Sequence, residues 1–450
     1  MIVKEQNFTS GTILPKLISF AVPLLFANLL QSFYSIADMI IVGKIVGETG
    51  LAAISNASMI SFIINSFCIG ITMGATVLIA QYQGAEDKQG QKETIGTLFV
   101  VSFVVSIIIT IVSLFIYQPV FKLLHVPKEA MQDACDYMKI ICTGTIFVFG
   151  YNAVCSIMKG MGDSKSPLYF VLIAAVVNIV LDLLLIGKMG TKGAAYATIF
   201  SQAVSFIISI IYLKHKNFIF DFRLNSFKIK TAILKPLFLV GLPAAIQMIV
   251  VNISYLLITG MLNHFGLSVA AASGIGLKIN TFAGMPCWAV GQAVTTFVGH
   301  NMGAKQYNCV KDITKKGLYI NIGITFFIIL FVQIFAKLLI ELFQKESAEV
   351  IADGILYLRI CCSVNSLIYA VMYTFDSFAI GTGNAHIAMI NALLDAAVIR
   401  LFVSWLLAFA LNYGFTGIYI GQSLSPVIPA IIGFIYFKSS FWKKKKLIIK

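Results

Sequence analysis

Long uncharged apolar stretches alternate along the chain with short segments rich in charge and turn-forming residues. Read in this way the sequence contains twelve apolar spans, centred near residues 28, 65, 106, 148, 176, 203, 248, 288, 328, 367, 397 and 426. A helix needs about 20 predominantly apolar residues to cross a bilayer core. The pattern therefore predicts an all-α polytopic membrane protein of 12 transmembrane helices. The first span, residues 17–37, has 21 uncharged positions and is preceded by Lys4 and Lys16. No small-residue cleavage site follows a short apolar core, so this span is expected to be a retained first helix rather than a removed signal.

The pattern also repeats, with an offset near 220 residues, half of the 450-residue chain. Pro23 in FAVPLLF pairs with Pro243 in VGLPAAI, and the Ala-Ala at 52 and 53 pairs with that at 270 and 271. QYQGAED at 81–87 matches HNMGAKQ at 300–306, and KGMGDS at 159–164 matches IGTGNA at 380–385. Six spans per half make the repeat parallel, related by an axis along the membrane normal. The expected organisation is an N-terminal six-helix lobe over 1–213, a basic linker over 214–235, and a C-terminal six-helix lobe with a basic tail over 236–450. Two pseudo-symmetric lobes around a central cleft form a transporter architecture.

Composition sharpens this picture. The chain is 59% hydrophobic and only 12% charged, which leaves no room for a sizeable soluble domain. The net charge of +14 comes mainly from the even-numbered connections and the tails, which hold 22 of the 33 Lys and Arg, among them Lys214, Lys216, Arg223, Lys228, Lys230 and the run 443–446. The positive-inside rule places both termini in the cytoplasm of a plasma or inner membrane protein and explains the charge without nucleic acid. The eight cysteines show no CxxC or Cys/His ligand spacing, so neither a disulfide framework nor a metal site is expected. No Walker loop, nucleophile triad or HExxH is present; the chain is not expected to be an enzyme or ATP-driven, nor to carry a cofactor.

Polar groups at bilayer depth are costly and mark function. The ionisable ones are Asp38, Asp182, Lys278, Asp376, Asp395 and Arg400. At about 100° per residue, Asn28, Gln31, Ser35 and Asp38 fall within an arc of about 80°, with Tyr34 one turn before Asp38. In the fifth span Asn178 and Asp182 are four apart and share a face. If spans one and five pack together, two carboxylates meet, and such a pair holds a proton or a monovalent cation. Lys278 either repels or orients a cationic substrate, or else snorkels towards an interface or pairs with a carboxylate. Asp376, Asp395 and Arg400 are expected near the ends of spans ten and eleven or in an internal ion pair. Pro23 and Pro243 supply flexing points in spans one and seven, and Gly70 with Gly74 forms a small-residue helix contact.

These segments resemble the multidrug and toxic compound extrusion (MATE) family over nearly the full chain. The resemblance is carried by FYSIADMIIVGKIVG in the first span, ITMGATVLIAQYQGAED, KGMGDSKSP, NIVLD followed by GTKGAAYAT, and GLPAAIQ with VGHNMGA in the second half. It implies a secondary active antiporter that exports cationic, amphiphilic organic compounds in exchange for H⁺ or Na⁺ by alternating access. The implied partners are small organic cations, the coupling ion and the lipid bilayer, with a monomeric chain. It also implies an ion site at Tyr34, Asp38, Asn178, Asp182 and Thr198, and Asn28, Gln31, Gln247, Tyr255 and Lys278 are the substrate-facing candidates. Some members use a C-lobe acidic pair, but the matching positions here are Val251 and Tyr369. Ile380 stands where an arginine often precedes Gly-x-Gly. A related two-lobed design, the lipid-linked saccharide flippase, is the alternative; it would be expected to carry more cleft cations than Lys278.

Overall fold

The computed structural model of the protein describes residues 8–124, 126–215, 218–439, 441–444 and 449; Lys4, Lys216, Lys445 and Lys446 lie outside them. Among the described residues the regular structure is entirely helical. The first half contains α1 (Ile13–Ile45), α2 (Glu48–Gly84), α3 (Lys88–Leu123), α4 (Lys128–Thr143), α5 (Thr145–Gly160), α6 (Lys165–Met189) and α7 (Thr191–His215). The second contains α8 (Thr231–Asn263), α9 (Leu267–Gly303), α10 (Tyr307–Ile334), the short α11 (Ala336–Glu341), α12 (Ala348–Cys361), α13 (Val364–Gly381) and α14 (Ala385–Leu393). After α14 the same helix continues through π-helical turns at Leu394–Val403 and Leu406–Ala410, followed by α15 (Gly414–Leu424), α16 (Val427–Lys438) and α17 (Phe441–Lys444).

Among the described residues nine helices are long and apolar enough to cross a membrane, or eleven when the bent pairs α4/α5 and α12/α13 each count as one span. The remaining expected centre, near 288, falls in α9, a 37-residue helix. Eleven of the twelve expected centres thus lie within a helix or a bent pair, the twelfth falls at the turn between α15 and α16 within the candidate span Gly414–Lys438, and the protein is a multi-pass membrane protein.

The repeat is written into the backbone. α1 and α8 each have 33 residues, and α2 and α9 each have 37. The glycines before α2 and α9, Gly47 and Gly266, both have positive φ, as do Glu86 and Lys305 after those helices and Gly162 and Gly383 after α5 and α13. Even the bends correspond: α4/α5 turns by 50° at Gly144, and α12/α13 by 47° around Cys362. Left-handed backbone at the same points of both halves fixes the same helix entry and exit directions twice.

Two compact units result. One comprises Val22–Ala245; the other comprises Phe8–Ala21 and the chain from Ile246 onward. The boundaries therefore fall inside α1 and α8, beside Pro23 and Pro243, rather than in the basic linker at 214–235. In the first unit α2 packs on the start of α8: a side chain at Gly70 would collide with Ala245, and one at Gly74 with the Leu237 carbonyl. This is the small-residue contact expected for those glycines. The linker is docked on α3, where Thr97 Oγ1 donates to the Lys228 carbonyl and accepts from the Lys230 amide, both at 3.2 Å. In the second unit Phe8 stacks on Phe297 with centroids 3.8 Å apart, Phe20 meets Phe297 edge-on at 5.7 Å, and Asn301 Nδ2 donates to the Phe8 carbonyl.

Candidate functional site

The site is built on α6. Its inward face runs through Phe170, Val171, Ala174, Asn178, Asp182 and Ile186, spaced three or four apart as a helix stripe requires. The opposite face exposes Val176, Val180, Leu183 and Leu184. An apolar outer face with two polar groups on the inner one inverts the soluble-helix pattern and suits a helix whose exterior is lipid. Asn178 is 1% exposed and Asp182 0%.

Three further helices complete the cluster. The second part of α1 brings Asp38, 9% exposed, and Tyr34, which lies beside Gln31. α7 returns tightly along α6 because Gly190 adopts a left-handed φ of +58° and Gly193 leaves no room for a side chain against the Leu185 backbone; this hairpin brings Thr198 to the site. α4 contributes Tyr137, which lies beside Thr198 and within electrostatic reach of Asp38, Asp182 and Tyr34 together. Tyr34, Asp38, Asp182 and Thr198 thus converge on one tyrosine, and Asn178 sits one turn from Asp182. Tyr137 escapes the apolar-span reading because Asp133, Asp136 and Lys139 surround it. The available signal was the buried set Ala130, Ala134, Tyr137, Met138 and Cys142, a helix stripe within a charged segment.

Among the described residues no hydrogen-bond partner reaches Asp38 Oδ1, either oxygen of Asp182, or either polar atom of the Asn178 amide. Burying carboxylate oxygens without a counter-charge costs several kcal/mol. A cluster of oxygen acceptors with a phenol in electrostatic reach has the chemistry that a proton or a small monovalent cation needs.

The other expected residues lie elsewhere. Asn28 is half-buried and Gln31 exposed on the stripe of α1 that carries Asp38, and Gln247 is half-buried on α8. Lys278 on α9 is exposed and makes no ion pair among the described residues. The Arg400 guanidinium lies over the Tyr255 ring, 4.2 Å from its centroid. Arg400 also pairs with Asp395 at 2.6 Å, resolving the two placements expected for them in favour of an internal ion pair. Asp376 accepts from Asn391 Nδ2 at 2.6 Å. Tyr369 accepts from Trp288 Nε1 at 3.2 Å and stacks on Tyr373, so that position presents phenols rather than a carboxylate. All eight cysteines are free thiols, and no group of three or more His, Cys, Asp or Glu side chains among the described residues could hold a metal ion.

Comparison with known proteins bears on the family and the fold. The chain is 28% identical over 452 residues to the Probable multidrug resistance protein YoeA of Bacillus subtilis (strain 168), covering 95% of this chain and 94% of the relative. It is 29% identical to the Probable multidrug resistance protein YpnP of the same organism, over 99% of both chains. In fold it superposes on the outward-facing conformation of a multidrug resistance MATE family transporter of the MOP superfamily, with a TM-score of 0.91 at 22% identity, covering 97% of this chain and 98% of that one. The MatE family model matches twice, at residues 23–184 and 243–406, one match beginning at each of the prolines that open the repeat. With both halves matched, and with the carboxylate cluster inside the first, the chain belongs to the MatE, or multidrug and toxic compound extrusion, family.

Proposed function

We propose that the protein is a secondary active antiporter that exports cationic, amphiphilic organic compounds in exchange for H⁺ or Na⁺, with both termini on the cytoplasmic side of a cell membrane. The observation that carries this is the pair Asp38 and Asp182, buried in the first unit with Asp38 Oδ1 and both Asp182 oxygens unpartnered among the described residues and with Tyr137 as a shared neighbour. An ion entering the cluster neutralises charge that the protein leaves uncompensated, so the protein's conformational balance depends on occupancy. Asn28 and Gln31 extend the same stripe of α1 and are the groups of that unit proposed to meet the organic cation. Pro23 lacks the amide that would close its helical turn, and it lies where α1 passes from one compact unit to the other. Bending there links ion occupancy to the position of the stripe.

The test is uptake of a fluorescent organic cation into proteoliposomes under an imposed pH gradient or an imposed Na⁺ gradient, with wild type and Asp38→Asn. Flux that follows one gradient and vanishes in the variant supports antiport through this cluster and identifies the ion. Wild-type flux by a well-folded Asp38→Asn protein overturns it. Flux under neither gradient directs the next assay to lipid-linked saccharides, the substrates of the related flippase design.

A further inference from the structure

The second half contains a buried polar cluster that antiport through Asp38 and Asp182 leaves unused. The sequence Asn178-Ile-Val-Leu-Asp182 has a counterpart in Asn391-Ala-Leu-Leu-Asp395, placed about two turns nearer the start of its helix. As in the first half, the amide and the carboxylate are four residues apart and both are buried. A second carboxylate again faces the motif from a neighbouring helix: Asp376 of α13 accepts from Asn391 Nδ2. The design of two aspartates and one asparagine therefore occurs twice.

Besides that shift, and a second carboxylate supplied by α13 rather than by α8, the counterpart of α1, a further difference separates the two clusters. Five residues after Asp182 stands Gly187, and α6 continues as a regular α-helix. Five residues after Asp395 stands Arg400, and the helix between them is π-helical. In an α-helix a residue five positions on lies about 140° round the axis, out of reach. Hydrogen bonding from i to i+5 brings it back over the first residue. Arg400 Nη2 thereby donates to Asp395 Oδ2 at 2.6 Å, Nη1 donates to Ser254 Oγ at 3.1 Å, and the guanidinium lies on the Tyr255 ring. Asp395 Oδ1 and Asn391 Oδ1 are left without a partner among the described residues.

We infer that the second half retains a cation site whose occupant is the protein's own Arg400, tethered there by the π-helical turns. The comparison with a cation site rests on the proposed role of Asp38 and Asp182. The tethered charge keeps Asp395 compensated at all times, so this cluster does not exchange ions with solution while the first one does. Removing the guanidinium opens the site to an exogenous small cation, a proton or Na⁺. The ionisable groups facing Arg400 and Asp395 are Asp376 and Tyr369 on α13, Tyr255 on α8, and Tyr357, Cys361 and Cys362 around the end of α12; of these only Asp376 is another carboxyl group.

The experiment follows thermal unfolding of the purified full-length protein against Na⁺, with choline as the balancing ion, and against pH from about 5 to 8. It is performed in an Asp38→Asn/Asp182→Asn background, which silences the first cluster. The background should respond to neither ion. Adding Arg400→Gln should create an unfolding temperature that rises with Na⁺ or with falling pH, and adding Asp395→Asn to that variant should abolish the response. A folded Arg400→Gln protein indifferent to both ions overturns the inference. So does a variant that no Na⁺ concentration or pH stabilises while Asp395→Asn/Arg400→Gln folds, and so does a response that survives loss of Asp395. Failure of the antiport proposal shows separately, as transport by the Asp38→Asn/Asp182→Asn background, whereas failure of this inference shows in the unfolding response of the Arg400→Gln variant.

Discussion

Asp182→Asn replaces a carboxylate that is 0% exposed by an amide of nearly the same shape. If Asp38 and Asp182 hold one cation between them, either asparagine removes the charge that draws it in, and the double variant has nothing further to lose. For one-for-one exchange of a monovalent organic cation against H⁺, one pH unit is worth about 1.36 kcal/mol, which sustains about tenfold accumulation. A gradient of two units should therefore sustain about 100-fold accumulation in wild type and about onefold in Asp38→Asn, Asp182→Asn and the double variant alike. The same factors hold for Na⁺ if that ion drives exchange, with each tenfold Na⁺ ratio taking the place of one pH unit. The assay is the steady-state level of a fluorescent organic cation in proteoliposomes, normalised to reconstituted protein. Both Asp182 oxygens lack partners, so neutralising the side chain removes an uncompensated charge and the unfolding temperature should not fall. Wild-type accumulation in Asp182→Asn refutes the reasoning. A double variant whose deficit is the product of two partial single deficits refutes the shared site in favour of two independent ones.

Three further outcomes follow from the packing. Tyr137→Phe removes the hydroxyl that lies beside Thr198 and within reach of both carboxylates; one hydrogen bond from it to the cluster is worth about 1 kcal/mol, so the half-saturating ion concentration in transport should rise about fivefold with folding intact. Gly74→Leu drives a side chain into the Leu237 carbonyl and should destabilise the protein by about 1–3 kcal/mol. Unfolding can be followed by a thiol-reactive dye, because six of the eight cysteines are buried. Phe297→Ala empties the ring packed between Phe8 and Phe20 and should cost about 3–5 kcal/mol in the same assay, whereas Phe297→Leu should recover most of that loss.

Much of this molecule was legible in the sequence because membrane helices must satisfy their own backbone, so run length alone locates them. The repeat was legible for a related reason: Pro, Gly and short polar motifs stand out against a uniform apolar background, and two of the motif pairs contain the equivalent backbone turns at Glu86 and Lys305 and at Gly162 and Gly383. Asp38, Asp182 and their i, i+4 neighbour Asn178 were legible because charge at bilayer depth has so few explanations. Tyr137 was hidden because Asp133, Asp136 and Lys139 make its stretch read as a connection, and only the bend at Gly144 lets that stretch serve as part of a broken span. The partnership of Asp395 with Arg400 could be expected from charge, but not its geometry, because a period of 3.6 puts the two on different faces and the π-helical turns carry no sequence mark of their own. Nor does a hydropathy pattern say with which half a stretch packs, which is why the unit boundaries lie in α1 and α8 and not at the linker.

That last arrangement gives the chain an order of events during synthesis. Phe8 belongs against Phe297 and Asn301, residues made almost 300 positions later. At a translation rate of about 5–20 residues per second, the segment Phe8–Ala21 waits roughly 15–60 s for its binding surface to emerge. The Val22–Ala245 unit has all of its residues first, yet it begins and ends in the middle of helices whose other parts belong to its neighbour. The segment Phe8–Ala21 is thus among the last to find its place, and it closes the second unit only when α9 has been made.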